Sequence, residues 1–69
     1  MLKKMTIEDE FLSFISEAMQ EKYNVPSFMA DKIVKNSKIS KMIYEYPDYI
    51  MHYDAEDWAD ELMSTVMAR

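Results

Sequence analysis

The chain contains no glycine. Globular domains average about 7% glycine, so its absence restricts how this backbone turns. The residue that reaches positive φ without steric strain is missing, and with it the usual two-residue hairpin turns. Glycine-built phosphate cradles, the P-loop and the dinucleotide fingerprint among them, are excluded as well. Turns must fall at Asn, Asp, Ser and Pro, which suits short helices joined by polar connections.

The 69 residues correspond to one domain, 1–69. A core in so short a chain supplies about 3–5 kcal/mol unless regular helix packing, a staple or self-association adds to it. There is no cysteine, so disulfides, thiolate metal sites and a cysteine nucleophile are ruled out. A single histidine leaves little for an all-protein zinc site, and no cofactor is expected. The net charge of −5 disfavours indiscriminate nucleic-acid binding and adhesion to anionic membranes. No apolar run approaches the roughly 18 residues a membrane span requires. Lys3 and Lys4 make the start basic, but Glu8, Asp9 and Glu10 follow where a secretory signal has its apolar stretch. A cytoplasmic protein is the expectation.

Apolar spacing predicts an all-α fold, a small three- to four-helix bundle with short polar connections. The first helix, about 7–23, starts at Thr6 with Asp9 in capping-box spacing, and Ile7, Phe11, Phe14, Ile15, Ala18, Met19 and Tyr23 form its stripe. Asn24, Val25 and Pro26 end it. The second helix, about 27–35, is read as beginning at Pro26, which a first turn tolerates, or at Ser27, which can cap, with Phe28, Met29, Ile33 and Val34 as its apolar face. Asn36 is expected in the left-handed terminating position, with Ser37 capping a third helix, about 38–46. That helix carries Ile39, Met42, Ile43 and Tyr46 at helical spacing. Residues 47–53, which begin with Pro47, read as a helical turn, an ordered loop or, from composition, a strand. The last helix, about 55–68, is capped by Asp54, with Tyr53 and Trp58 at the hydrophobic-staple positions. Ala55, Trp58, Ala59, Leu62, Met63, Val66 and Met67 make its almost unbroken stripe.

Three surfaces are candidates for function. Tyr44, Tyr46, Tyr49 and Tyr53, with Ile50 and Met51, cluster around Pro47. Tyrosine joins large apolar area to a polar tip, a combination favoured at interfaces, although a core rim would use the same residues. Asp57, Asp60 and Glu61 give the last helix an acidic face. It would steer a basic partner or imitate nucleic-acid phosphates; a solvated helix face has the same composition. Lys32, Lys35, Lys38 and Lys41 form the only basic run and flank the break at Asn36 and Ser37. That places them in helix-turn-helix spacing, with the third helix directed at a major groove, although a solvated face between two helices has the same composition. No arginine is present there for bidentate guanine recognition. The methionines on apolar faces, Met19, Met29, Met42, Met63 and Met67, fill gaps in a core or serve an adaptable surface. Asp48, His52 and Glu56 would share a face and bind a divalent cation weakly only if residues 48–56 were continuously helical, which a cap at Asp54 breaks, and no nucleophile or oxyanion donor accompanies them.

The expected function is a non-catalytic protein-binding or regulatory module. Its interface would use Tyr44, Tyr46, Tyr49, Ile50, Tyr53, Asp57, Asp60 and Glu61, and its partner would be another protein or a second copy of itself. The alternatives are a DNA-binding regulator using Lys32, Lys35, Lys38 and Lys41, or an acidic nucleic-acid mimic that inhibits a DNA-binding protein.

Overall fold

Thr6 opens the first helix through its side chain: Oγ1 accepts from the Asp9 backbone N–H at 3.1 Å. In the structure, a computed structural model that describes residues 6–67, this cap starts α1, Ile7–Tyr23. The basic start at residues 1–5, Ala68 and the side chain of Met67 lie outside the described residues. Glu8, Asp9 and Glu10 occupy the first turn of α1 and Lys22 the last, so charges of the favourable sign sit at both ends of its dipole.

Asn24 terminates α1 at φ 56°, ψ 34°, the sole positive φ among the described residues. The left-handed position therefore belongs to Asn24. Asn36, for which it was expected, sits at φ −89°, ψ 0°. The reason lies in how α2, Ser27–Lys35, ends. The orphan carbonyls of a helix C-terminus need donors. Here serines supply them: Ser37 Oγ donates to the Val34 carbonyl at 2.6 Å, and Ser40 Oγ is shared between the carbonyls of Lys35 at 2.9 Å and Ser37 at 2.8 Å. A left-handed residue is not needed.

Two expected caps differ in the structure. Ser37 is turned back to α2 and does not cap α3, Ile39–Glu45, whose N-cap is Lys38 with no side-chain cap bond. Ser27 is the first residue of α2; Pro26 holds the N-cap position, and its carbonyl accepts from Met29 N–H at 3.0 Å and Ala30 N–H at 2.9 Å.

Residues 47–53 resolve as one short helix and a turn. Tyr46 breaks the helical path at φ −134°, ψ 63°, and Pro47 opens α4, Pro47–Met51. Proline suits a first helical position because its missing N–H has no intrahelical acceptor there. The carbonyl of Asp54 then accepts from Trp58 N–H at 3.2 Å, and α5 runs from Ala55 to Met67. The rings of Tyr53 and Trp58 meet edge to face at 5.6 Å, as a hydrophobic staple requires. The fold is a small all-α arrangement of five helices, with no strand among the described residues.

The longest helix, α1, lies between α2 and α5, while α3 packs mainly on α4. Every helix contributes to the buried cluster: Ile15 and Met19, Ala30 and Val34, Ile39 and Ile43, Ile50, then Ala59 and Met63. In α2 the buried edge is Ala30 and Val34, four residues apart, and the expected face is rotated: Phe28 is 71% exposed and Met29 45%. The small Ala30 side chain lets α2 approach α1, where a bulkier residue would hold it off. Ser16, the one buried polar residue described, donates to Asp31 Oδ1 at 2.6 Å and accepts from Gln20 Nε2 at 3.3 Å, tying α1 to α2.

Candidate functional site

The apolar stripe of α5 is too wide to be covered by one neighbour. Ala59 and Met63 are buried in the core, with Ala55 packed against it. Trp58, Leu62 and Val66, at i, i+4 and i+8, form a second edge. That edge is one wall of an apolar groove of about 730 Å³. The opposite wall is Ile33 of α2 and Ile39 and Met42 of α3, and α4 closes one end with Tyr49 and the buried Ile50. The lips differ in charge. Lys32 and Lys38 stand on the α2–α3 side, and Glu61 stands on the α5 side.

A shallower hollow of about 320 Å³ continues from the groove, sharing Tyr49, Trp58 and Glu61 and adding Tyr53 and Asp57. Its aromatic wall is fixed by contacts. Trp58 Nε1 donates to the Ile50 carbonyl at 2.6 Å, which satisfies an orphan acceptor at the end of α4 and locks the indole. Tyr49 meets Tyr53 edge to face at 6.1 Å and Trp58 at 6.3 Å. His52 stands edge-on to Tyr53 at 5.2 Å. Tyr49 and Tyr53 remain about half exposed, so the wall combines a fixed geometry with accessible apolar area.

Of the residues expected at a protein interface, the structure gathers Tyr49, Tyr53, Asp57 and Glu61. Ile50 is not a surface residue: it is completely buried, under α3 and the Trp58 indole. Asp60 is turned toward α1, where Oδ1 accepts from the Tyr23 hydroxyl at 2.7 Å and Oδ2 pairs with Lys22 Nζ at 3.0 Å. Hydrogen bonds from Tyr23 and then Lys22 hold the Asp60 carboxyl below its usual range, and the same contacts raise both partners. Reversing the charge of Asp60 therefore breaks an α1–α5 tie, whereas Asp57 and Glu61 are free of that role. Tyr44 lines neither the groove nor the hollow. Its hydroxyl donates to Asp9 Oδ1, which raises its pKa, and it lines a separate cleft of about 470 Å³ with Ser13, Asp31 and Ser40. Tyr46 is 59% exposed at the α3–α4 junction and lines neither the groove nor the hollow.

The four lysines divide. All are exposed, but Lys35 lines the cleft that also holds Asp9 and Asp31, while Lys32 and Lys38 edge the groove. Because α4 stops at Met51, Asp48, His52 and Glu56 share no continuous helix. Among the described residues, no three His, Cys, Asp or Glu side chains are grouped to hold a metal. No helix of the described residues is long and apolar enough to cross a membrane.

Ile33, Met42, Trp58, Leu62 and Val66 line the groove, and their spacing alone places them on apolar helix faces without saying which side of a face is covered. The available signal was the width of the α5 stripe: seven apolar positions in one helix exceed what a single contact of about 100° covers. The chain matches no protein-family model, no curated protein and no solved structure.

Proposed function

We propose that this chain is a small non-catalytic, cytoplasmic protein-binding module that docks the apolar edge of a partner helix in the groove between α5 and α2–α3. The observation that carries this reading is the groove itself, apolar in its walls, charged at its lips and bounded by a fixed aromatic end. An amphipathic helix lays residues at i, i+3, i+4 and i+7 into such a groove. Tyr49, Tyr53 and Trp58 supply anchors of large area and few rotatable bonds. Glu61 on one lip and Lys32 and Lys38 on the other orient the partner by charge, and Asp57 adds an acid at the aromatic hollow. The separation of Lys35 from Lys32 and Lys38 weighs against a DNA-binding face, since duplex contact needs its cations on one surface. The involvement of Asp60 with Tyr23 and Lys22 likewise thins the acidic face that a nucleic-acid mimic would need. The absence of cysteine suits a reducing compartment.

Site-specific photo-crosslinking in cells tests the reading. A photoreactive residue at Thr65 or Tyr53 should capture protein, and the capture should disappear with Val66→Lys, which places a charge in the groove. The same probe at Ser13, outside the groove and the hollow, should capture far less. Absence of protein adducts at Thr65 and Tyr53, or equal capture at Ser13, refutes it.

A further inference from the structure

Resting on the protein-binding reading, we propose that the helix seated in the groove is α5 of a second copy of this chain, placed reciprocally about a two-fold axis parallel to the groove. The occupant must present an apolar helical edge with an acid beside it, because one lip of the groove is basic. The chain itself carries such an edge. Trp58, Leu62 and Val66 are aligned along α5, Glu61 stands beside them, and α1 leaves this edge uncovered.

Symmetry makes the match reciprocal. A two-fold pair presents the same surface on both copies. With the axis along the groove, the basic lip of one copy faces the acidic lip of the other, so Glu61 meets the partner's Lys32 and Lys38, and the same pairing recurs on the other side. With the axis across the groove, like charges would oppose each other, a destabilising arrangement. The charge asymmetry of the lips thus selects one of the two arrangements. Two chains of net charge −5 repel at long range, so a pair needs cations at its interface, and Lys32 and Lys38 are in place. The small core points the same way. Its largest fully buried side chains are Ile15, Met19, Ile43 and Ile50, and chains of this size often gain stability by oligomerising.

Charge-reversal variants measured by sedimentation equilibrium over a concentration series test the proposal. Glu61, Lys32 and Lys38 are exposed, so substitution leaves the fold in place, and helical content by circular dichroism verifies this. The wild-type chain should form a dimer. Glu61→Lys alone, and Lys32→Glu with Lys38→Glu, should each weaken it by about tenfold or more. An equimolar mixture of the two variants should recover the mass of a dimer, because each then supplies the sign the other lacks. A wild-type chain that is monomeric throughout overturns the proposal, as does a dimer indifferent to both variants or a mixture no tighter than its components. A monomeric chain whose Thr65 probe still captures another protein leaves the binding-module reading standing. A monomeric chain that captures nothing removes both.

Discussion

Ile50→Ala and Tyr49→Ala, neighbours in one five-residue helix, should differ sharply in stability. The Ile50 side chain is completely inaccessible, whereas Tyr49 is 54% exposed. Truncating a buried isoleucine to alanine costs about 2–5 kcal/mol, the transfer term plus the cavity left behind. The better helix propensity of alanine returns only a few tenths of a kcal/mol. A core of this size supplies about 3–5 kcal/mol in all, so Ile50→Ala should sit near the edge of unfolding in water. Tyr49→Ala removes two edge-to-face contacts on a half-exposed ring, and its cost should stay below about 1 kcal/mol. Urea titration followed by helical circular dichroism measures both. With a slope of about 1 kcal/mol per molar urea, the Ile50→Ala midpoint should fall by about 2 M or more, against less than about 1 M for Tyr49→Ala. Partner capture at Thr65 should follow the opposite order at temperatures where both variants are folded. Equal midpoints, or an Ile50→Ala chain as stable as wild type, would refute the assignment of Ile50 to the core.

The α1–α5 tie predicts a pH dependence. The folded carboxyl of Asp60 lies below its unfolded value of about 3.9, so its contribution is present above that pH and is lost as pH falls through the folded value. Melting temperatures of wild type and Asp60→Asn should therefore converge in acid. Tyr23 is raised above its ordinary value of about 10, so its contribution is complete below that pH and fades as pH climbs through the folded value; Tyr23→Phe should remove that part of the alkaline slope. Asn24→Ala should lose about 1 kcal/mol, because φ is 56° there, while Asn24→Gly should hold the wild-type midpoint in urea. Trp58→Phe leaves the Ile50 carbonyl without its indole donor and should cost about 1 kcal/mol by the same measurement.

Helix positions were legible because local chemistry sets them. Thr6 caps where an acid-rich turn begins, Pro26 and Pro47 stand where a helix can start, and the observed spans agree with the spacing of apolar residues to within a residue or so. The clustering of four expected surface residues was legible too. Tyr49, Tyr53, Asp57 and Glu61 come together because they flank one staple, formed between Tyr53 and Trp58. Asn24 and Asn36 show where local reading stops. Either can adopt the left-handed conformation, and the hydroxyls of Ser37 and Ser40, directed at the end of α2, remove the need at Asn36.

Periodicity along the chain determines that a residue lies on an apolar stripe, since positions three and four apart share a helix face. Which neighbour covers each edge of that stripe is a different matter, settled when helices distant in sequence pack together. On α5 the Ala59 and Met63 edge meets α1, and the Trp58, Leu62 and Val66 edge is left to wall a groove. On α4 the same assembly buries Ile50 and leaves Tyr49 in solvent, a distinction between adjacent residues that the composition of a tyrosine-rich segment does not contain. Local backbone preference acts over a few residues and is written in the sequence; burial is a property of the packed whole, and only tertiary structure assigns it.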